Sequence, residues 1–538
     1  MNAVMRLSIW SWIARSLLAV TLAVSFSVPA RAQVTPFMQA VAEAAAGDKE
    51  IAAFYKSNMY TPIWTGTDAD HMARRAALMK ALAAAGDHAL PVASYDMAGL
   101  ERSMRGVATE RDLGALEVAL SRTFLKYARD LQTGILTPSK VDSEIVRKIP
   151  LRDGTELLTT ISTSNPTQVL RGLVPSSPEY ARLLKAKYAL ETQYARGGWG
   201  ATVPARSLKP GDTGNSVVAL RNRMVAMGYM KRSASQRYDA DLQKAVQLFQ
   251  LNHGLEADGV AGRGTMAEIN TQIEDRLPSV YVAIERERWT NMERGKRHIW
   301  VNLTDFTAAI MDDDQVTFKT RSVIGKDTSG RRSPEFSDVM EYMEINPYWN
   351  VPRSIAVNEY LPGMIASGGG SSRHLELVDG RRNVVSRARV NWAAYSPRNF
   401  PFDLRQPPSK GNALGLVKFM FPNRYNIYLH DTPAKSLFSR DVRAFSHGCI
   451  RLNDPFDFAY ALLAKQEAEP VDYFQRILRS GQNTVVDLVE QVPVHIVYRT
   501  AFTDAKGRLH YRNDIYGRDA KIFNALVKAG VAMGDLRS

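Results

Sequence analysis

Apolar residues recur at helical spacing through the first third of the chain. Those in residues 116–131 would lie along one face of a helix, and Gly134 and Pro138 then supply stop signals. A second amphipathic pattern covers residues 180–194. No polar constellation stands out in this region. We therefore predict a helical scaffold domain over residues 33–204.

The pattern changes in residues 205–272, where glycine-rich turns separate three short segments with helical spacing of apolar residues. Two of these patterns are followed by turns, and Thr265 is expected to cap the third helix. The positions predicted to face a small common core are Val217, Leu220, Met224, Leu242, Val246, Phe249 and Ile269. This pattern predicts a compact three-helix module.

From about residue 298 the apolar period changes from helical to alternating. Ile299, Val301 and Leu303 alternate with polar neighbours, as do apolar residues in 494–498. These patterns predict a mainly β domain over residues 280–500. Its segment 353–417 is long and irregular, which is typical of a lid or capping subdomain. We expect residues 501–538 to form a C-terminal extension packed on the β domain.

The predicted fold class is a multi-domain α+β chain. The composition of its first residues also predicts a cellular compartment. Residues 1–32 combine a basic start, a short apolar run and a small-x-small site at Ala30-Arg31-Ala32, which is the pattern of a secretory signal peptide cleaved after Ala32. An uncleaved anchor is the alternative. We expect the mature protein to be exported to the periplasm.

Charge narrows the possible partners. The chain carries a formal charge of +14, which falls to +11 without the three arginines of residues 1–32. A basic exported protein suits an acidic polymer or an anionic surface. The charge is spread without a dense basic arm, so nucleic acid is not the expected partner.

The candidate chemistry lies in two short segments of the β domain, residues 425–433 and 445–452. Read as a strand, the first segment turns Tyr428 and His430 to one face, opposite an apolar face. The strand ends near Pro433, so His430 is expected at the rim of a sheet. A polar side chain at such a rim favours a functional role.

The second segment contains Cys449, the single cysteine of the chain. A disulfide needs two cysteines, so a lone thiol in an exported protein is either buried and inert or kept for its reactivity. Gly448 before it permits a close backbone approach, and the N–H groups of Gly448 and Cys449 could bind an oxyanion. Asn453 or Asp454 is expected to cap the helix that follows.

A cysteine nucleophile requires a nearby base and a group that orients that base. His430 is the expected base, which would pair with the Cys449 thiolate. Either the Asp431 side chain or a backbone carbonyl could orient the imidazole. We expect Ser446 and His447 to shape the loop around the thiol, with His447 as a less favoured base.

Together these segments read His430-Asp431, a gap, and then Ser446-His447-Gly448-Cys449-Ile450-Arg451. The pattern resembles the L,D-transpeptidase catalytic domain of the YkuD type, and the chain as a whole resembles its large YcbB-like branch. Residues 205–272 resemble a peptidoglycan-binding-like domain. One departure is Asp431, where the family often has glycine.

The resemblance implies that Cys449 attacks a donor stem peptide of peptidoglycan and releases D-alanine. The side-chain amine of an acceptor stem then opens the thioester, giving a 3–3 cross-link in cell-wall biogenesis. By the same resemblance, a carbonyl at Asp431 orients His430, Tyr428 lies in the oxyanion region, and Arg451 contacts the substrate carboxylate or the fold. No cofactor is implied.

Three alternatives remain open at this stage. A zinc site could use His430, His447 and Cys449, although a fourth ligand is not evident. The same acyl-enzyme could transfer to water, as in an L,D-carboxypeptidase, or to a protein amine, attaching envelope proteins to peptidoglycan. The chain could also be a wall-binding scaffold with an inactive site.

Overall fold

The computed structural model describes residues 34–533, so the predicted signal peptide lies outside the described residues. Helices form the first part of the chain. Their bounds are α1 Pro36–Ala45, α2 Lys49–Ser57, α3 Ala69–Ala83, α4 Met97–Arg105, α5 Glu110–Thr133, α6 Pro138–Val141, α7 Gly154–Thr163, α8 Pro166–Gly172 and α9 Pro178–Ala195.

Helix α5 is the centre of this helical domain, and its sequence explains its start. Thr109 and Asp112 form a capping box, in which each side chain accepts a hydrogen bond from the other residue's backbone N–H. The fully buried Glu117 of α5 accepts hydrogen bonds from the Tyr55 hydroxyl and from the backbone N–H of Ile63. These bonds tie the loop after α2 to the helix and satisfy the buried carboxylate.

The predicted three-helix module follows, with its apolar positions in one core. The helices are α10 Asn215–Ala226, α11 Ala240–Asn252 and α12 Arg263–Asn270. The prediction for Thr265 is wrong, because Gly262 is the residue before α12 and Thr265 lies inside the helix. Its buried hydroxyl instead accepts a hydrogen bond from Gln250 Nε2 at 3.2 Å.

Helix α13 (Ile273–Trp289) connects this module to the β domain. It packs against α9 and α5, and its apolar residues join the core of the helical domain. None of the helices in the described part of the chain is long and apolar enough to cross a bilayer.

The β domain is built on a nine-stranded sheet that closes on itself. The strand order is β11-β3-β12-β10-β9-β4-β13-β1-β2, and β2 also pairs with β3. The strands are β1 Arg297–Asn302, β2 Thr307–Asp312, β3 Gln315–Gly325, β4 Phe336–Ile345, β9 Val417–Met420, β10 Leu429–His430, β11 Ala444–Ser446, β12 Ile450–Leu452 and β13 Thr484–Val497. Two further helices, α16 Pro455–Leu463 and α17 Pro470–Ser480, pack on this sheet. The predicted fold class is confirmed.

The segment between β4 and β9 is ordered, which corrects the expectation of irregular chain over 353–417. It forms a four-stranded sheet in the order β5-β8-β6-β7, with its own apolar core. Its elements are β5 Trp349–Asn350, α14 Arg353–Ile355, a π-helical turn Ala356–Tyr360, α15 Leu361–Ala366, β6 Glu376–Val378, β7 Val384–Val385 and β8 Asp403–Gln406. Tyr428 and Cys449 pack against this core, so the subdomain covers the predicted site.

The C-terminal extension contains β14 Ala501–Thr503, β15 Leu509–Tyr511 and α18 Arg518–Lys528. Tyr516 of this extension lies in the core of the β domain, and the extension also contacts the helical domain. Ile522 and Leu526 of α18 are buried in the core of the helical domain, where they contact α13. Ile522 and Leu526 are four residues apart, so they lie on one apolar face of α18. This face packs against α13.

Candidate active site

The parallel pairing of β10 and β12 creates the site. Leu429 lies opposite Ile450 and His430 lies opposite Arg451. Leu429 and Ile450 are fully buried in the β-domain core. The side chains directly before and after each of them therefore point to the opposite face of the sheet. Adjacent strands are about 4.8 Å apart, which makes these side chains neighbours. The group consists of Tyr428, His430, Cys449 and Arg451.

Cys449 is partly accessible and is a free cysteine. Its Sγ lies 3.5 Å from the backbone oxygen of Asn426. Burial raises the pKa of the thiol to about 11, although hydrogen bonding to Tyr428 and the charges of Arg451 and Lys418 act in the opposite direction. The thiol is therefore protonated at neutral pH.

His430 is buried, and its Nδ1 is hydrogen-bonded to the backbone oxygen of Asp431. A carbonyl can only accept, so Nδ1 carries the hydrogen and Nε2 keeps its lone pair. Burial and the Arg451 charge lower the pKa of His430 to about 3, against the opposing effect of the Asp431 and Leu414 carbonyls. The imidazole is a neutral base with a fixed tautomer.

These two shifts change the expected resting state. The sequence predicted a thiolate paired with a protonated imidazole, whereas the pKa of Cys449 is raised and that of His430 is lowered. Both shifts have burial as their main cause, because a dry environment disfavours each charged form. The resting pair is a neutral thiol and a neutral imidazole.

Tyr428 contacts both members of this pair. Its ring lies edge-on to the His430 ring at a centroid distance of 5.6 Å. Burial and the proximity of Cys449 raise the pKa of the Tyr428 hydroxyl well above its usual value. The hydroxyl is thus protonated at neutral pH and lies beside the sulfur.

Two hydroxyls hold the loop that carries the thiol. Ser446 Oγ accepts a hydrogen bond from the Gly448 N–H at 3.1 Å and donates to the Cys449 carbonyl. Ser333 Oγ donates to the Gly448 carbonyl at 2.6 Å. Gly448 has φ +113°, which only glycine adopts without strain. The Gly448 N–H is therefore used inside the loop, and the Cys449 N–H is the donor left beside the sulfur.

The Asp431 side chain has a structural task. Its Oδ2 accepts from the Leu416 N–H at 3.0 Å and its Oδ1 from Lys435 Nζ at 2.8 Å. Gly415 lies so close that an added Cβ would be 2.2 Å from Oδ2. Of the two groups considered from the sequence, the backbone carbonyl orients His430 and the carboxylate fixes the neighbouring turn.

His447 turns away from the sulfur toward the capping subdomain. Its ring Nε2 lies 2.8 Å from Glu359 Oε1, and Arg331 Nη2 lies 2.7 Å from the same oxygen. Glu359 thus links the cysteine loop to the π-helical turn of the subdomain. Across residues 34–533, no group of three or more His, Cys, Asp or Glu side chains is spaced to hold a metal ion.

Arg451 lies opposite His430, and no carboxylate among residues 34–533 forms an ion pair with it. Its Nε is buried and has no hydrogen-bond partner in the described part of the chain. Burial lowers the pKa of this guanidinium, and the thiol of Cys449 is the acidic group that raises it. A half-buried guanidinium whose Nε has no partner among residues 34–533 has the chemistry to bind a carboxylate.

Sequence reasoning missed Lys418, which lies opposite His430 on the neighbouring strand β9. It is 8% exposed, pairs with Glu344 at 2.8 Å and lies over the Tyr428 ring at 5.4 Å. Lys418 and Arg451 therefore flank His430 with two positive charges. The sequence feature that could have indicated this residue is a lysine inside the apolar run Val417–Met420.

The predicted cap of the helix after the cysteine is only partly correct. Asp454 occupies the position before α16 and Pro455 begins the helix, but no side chain caps it. The Asp454 carboxylate instead accepts from the Thr320 hydroxyl at 2.7 Å. The helix start is thereby tied to β3.

The closed, mainly β domain carries His430 and the segment Ser446-His447-Gly448-Cys449. This combination defines the class of the catalytic domain. Residues 296–486 match the family model described as "L,D-transpeptidase catalytic domain", so the chain contains a domain of the YkuD family. Residues 49–186 match "Scaffold domain" and residues 213–269 match "Putative peptidoglycan binding domain". The resemblances to the L,D-transpeptidase catalytic domain and to a peptidoglycan-binding domain are confirmed.

Among individual proteins, the chain is similar to one from Haemophilus influenzae named "Putative L,D-transpeptidase". The two are 31% identical over 225 residues, which is 42% of this chain and 45% of that protein. The chain thus matches less than half the length of this relative.

Two solved L,D-transpeptidase structures also share similarity, each at 13% identity. The alignment with the structure from Xylanimonas cellulosilytica covers 55% of this chain and 98% of that chain, with a TM-score of 0.17. The alignment with the structure from Stackebrandtia nassauensis covers 55% of this chain and 97% of that chain, with a TM-score of 0.21. At these TM-scores the two structures carry no weight for the fold of this chain.

Proposed function

We propose that this protein is a cysteine-dependent L,D-transpeptidase that forms 3–3 cross-links between peptidoglycan stem peptides. The observation that carries the proposal is the shared face of β10 and β12, where Cys449 and His430 both neighbour Tyr428. Membership of the catalytic domain in the YkuD family supports the reaction class.

Acylation follows from the neutral pair. As Sγ of Cys449 bonds to the carbonyl carbon of the third stem residue, its proton passes to Nε2 of His430. The developing oxyanion receives hydrogen bonds from the Tyr428 hydroxyl and the Cys449 N–H. The bond to D-alanine then breaks, and the leaving amine takes the proton from His430.

Deacylation repeats these roles with a different nucleophile. The side-chain amine of an acceptor stem attacks the thioester carbonyl, and His430 accepts the proton that this amine loses. The C–S bond breaks, and the proton returns to Sγ of Cys449. The product is a 3–3 cross-link, and the enzyme is restored without a cofactor.

The surroundings of the pair suit a peptide substrate with a free carboxylate. We assign the D-alanine carboxylate of the donor to Arg451, whose guanidinium lacks a carboxylate partner among residues 34–533. The three-helix module would hold the chain on peptidoglycan, and the predicted signal peptide would export the protein to the periplasm, where this substrate lies.

The test uses a purified stem tetrapeptide and mass spectrometry of the intact protein. The wild-type chain should gain the mass of the tripeptide acyl group and release D-alanine. Cys449→Ala and His430→Ala should form no acyl-enzyme while keeping the wild-type circular dichroism spectrum. His447→Ala is the matched control, because its ring bonds to Glu359, and it should still acylate.

Product analysis then identifies the acceptor. A peptide dimer joined between third residues supports transpeptidation, whereas tripeptide alone identifies an L,D-carboxypeptidase and a protein-linked tripeptide identifies envelope-protein attachment. Acylation by Cys449→Ala would refute the cysteine mechanism. Acylation by the wild-type chain at a residue other than Cys449 would refute it equally.

A further inference from the structure

One ion pair on the catalytic face of the sheet takes no part in the proposed acylation or deacylation. Arg451 of β12 lies opposite His430 of β10, and His430 lies opposite Lys418 of β9. Lys418 in turn lies opposite Glu344 of β4. Residues that pair directly across strands point to the same face. The four side chains therefore form a line across the sheet, which ends in the ion pair between Lys418 Nζ and Glu344 Oε1 at 2.8 Å.

Stability alone does not account for this pair. Val417 and Phe419, on either side of Lys418, are fully buried in the β-domain core on the opposite face. Lys418 is itself buried, and the Glu344 side chain is 17% exposed, so both charges have lost most of their water. A buried ion pair adds little stability over apolar side chains of similar volume, because desolvation offsets the attraction. A functional role for the pair is therefore favoured.

Lys418 lies close to the groups that react. Its Nζ lies over the Tyr428 ring, 5.4 Å from the ring centroid. Burial has the largest effect on the pKa values of Cys449 and His430, and the charge of Lys418 lowers both. A cation in this position favours negative charge on the sulfur and on a hydrogen-bonded oxyanion, and it disfavours a proton on the imidazole.

Glu344 acts in the opposite direction from the end of the line. Burial and the proximity of Cys449 raise the pKa of Tyr428, and the negative charge of Glu344 raises it further. Strand β9 separates Glu344 from His430, so Glu344 is farther from the reacting groups than Lys418 is. Its effect on them should therefore be the smaller of the two.

Other carboxylates near the site are bonded to neighbours that hold loops. Glu359 of the capping subdomain pairs with Arg331 and His447. Asp431 pairs with Lys435. The Lys418–Glu344 pair differs from these, because both of its members lie in the sheet in line with the base.

We propose that Lys418 is a positioning residue for the reaction and that Glu344 is the counter-ion that limits its effect. The proposal rests on the proposed function, which makes Cys449 the nucleophile and Tyr428 an oxyanion donor. Lys418 keeps His430 unprotonated before the substrate binds, and it stabilises the negative charge that develops on the sulfur and then on the oxyanion. Glu344 holds the lysine over the Tyr428 ring and reduces its net field.

Alkylation of Cys449 by iodoacetamide at pH 8 measures the thiolate without a peptide substrate. The pKa of the thiol is about 11, so the thiolate fraction at this pH is small and changes about tenfold for each unit of pKa. Lys418→Met should slow alkylation by about 3- to 10-fold, and Glu344→Gln should speed it by about 2- to 5-fold. Lys418→Arg keeps the charge and should react within about twofold of wild type.

Lys187→Met is the matched control. Lys187 is also buried, pairs with Glu191 at 3.0 Å and lies 5.4 Å from the centroid of the Tyr281 ring, but it belongs to α9 of the helical domain. This variant should be alkylated at the wild-type rate. Acylation by the stem tetrapeptide should be slowed in Lys418→Met and restored in Lys418→Arg.

The signs of the two changes decide the result. Opposite signs in Lys418→Met and Glu344→Gln support the proposal, because a loosened fold would expose the sulfur and speed alkylation in both variants. Changes of the same sign, or wild-type alkylation in both variants, would overturn it. If Lys418→Met does not fold, Lys418→Gln tests the same sign. Alkylation needs no stem peptide, so failure of this proposal is distinguishable from failure of the proposed function, which is measured by acyl-enzyme formation.

Discussion

Replacing Arg451 with methionine should make the protein more stable and less active. The guanidinium is half-buried beside His430, its Nε bonds to nothing in the described part of the chain, and burial lowers its pKa. A lowered arginine pKa means that folding disfavours the charged form. Methionine retains much of the side-chain volume and removes the charge.

The size of each effect follows from this environment. Replacing an uncompensated, half-buried charge with an apolar side chain should raise the free energy of unfolding by about 1–2 kcal/mol. For a domain of this size that corresponds to a rise in Tm of about 2–8 °C. Loss of a charged hydrogen bond to the donor carboxylate should slow acylation about 10- to 100-fold.

Urea unfolding followed by tryptophan fluorescence measures the first effect, and the time course of acyl-enzyme mass measures the second. Arg443→Met is the matched control, because burial lowers the pKa of the Arg443 guanidinium as well, whereas its N–H groups are hydrogen-bonded. Arg443 donates to the carbonyls of Arg440 and Ser322 and lies over the Phe306 ring at 5.1 Å, so this variant should lose stability. The same substitution thus has opposite signs at two arginines.

A donor peptide with a C-terminal amide separates binding from folding. It should acylate the wild-type chain as slowly as it acylates Arg451→Met, because neither reaction has the carboxylate–guanidinium contact. If Arg451→Met unfolds at lower urea than wild type, as expected of Arg443→Met, then Arg451 is a structural contact and the reasoning fails.

Three further predictions concern the cysteine loop and the base. Gly448→Ala should slow acylation more than tenfold, because φ +113° strains an alanine and its Cβ would lie 3.1 Å from Ile427 Cδ1; mass spectrometry measures the rate. The pKa of His430 is about 3 in the folded protein, below its value of about 6.5 in the unfolded chain. The contribution of His430 to the free energy of unfolding should therefore fall by about 1.4 kcal/mol for each unit that the pH drops between 6.5 and 3. His430→Asn should reduce this slope in urea titrations. Asp431→Asn should acylate within about threefold of wild type but unfold at lower urea, since it loses only the ion pair with Lys435.

Local patterns predicted the framework of the site because they depend on neighbouring residues. Alternation along residues 425–433 placed Tyr428 and His430 on one face, although the strand itself is only Leu429–His430. The glycine before Cys449 predicted an unusual backbone, and its φ is +113°. These features follow from strand geometry and from the absence of a Cβ.

Features that depend on distant segments were not predictable. Lys418 flanks His430 only through the antiparallel register of β9, and Glu359 reaches His447 from the capping subdomain. The use of the Gly448 N–H inside the loop depends on the rotamer of Ser446. Long-range register and side-chain rotamers are fixed by packing, which periodicity alone does not describe.

A neutral resting pair suits a lone cysteine in the exported protein that we propose. A thiolate is the form that oxidants attack, so a thiol whose pKa is about 11 resists oxidation before substrate arrives. The positive charges of Lys418 and Arg451 stabilise negative charge on Cys449 and disfavour a proton on His430. A donor carboxylate bound at Arg451 would neutralise one of these charges and raise the basicity of His430 when the base is needed. Substrate binding would thus activate the pair that burial keeps neutral.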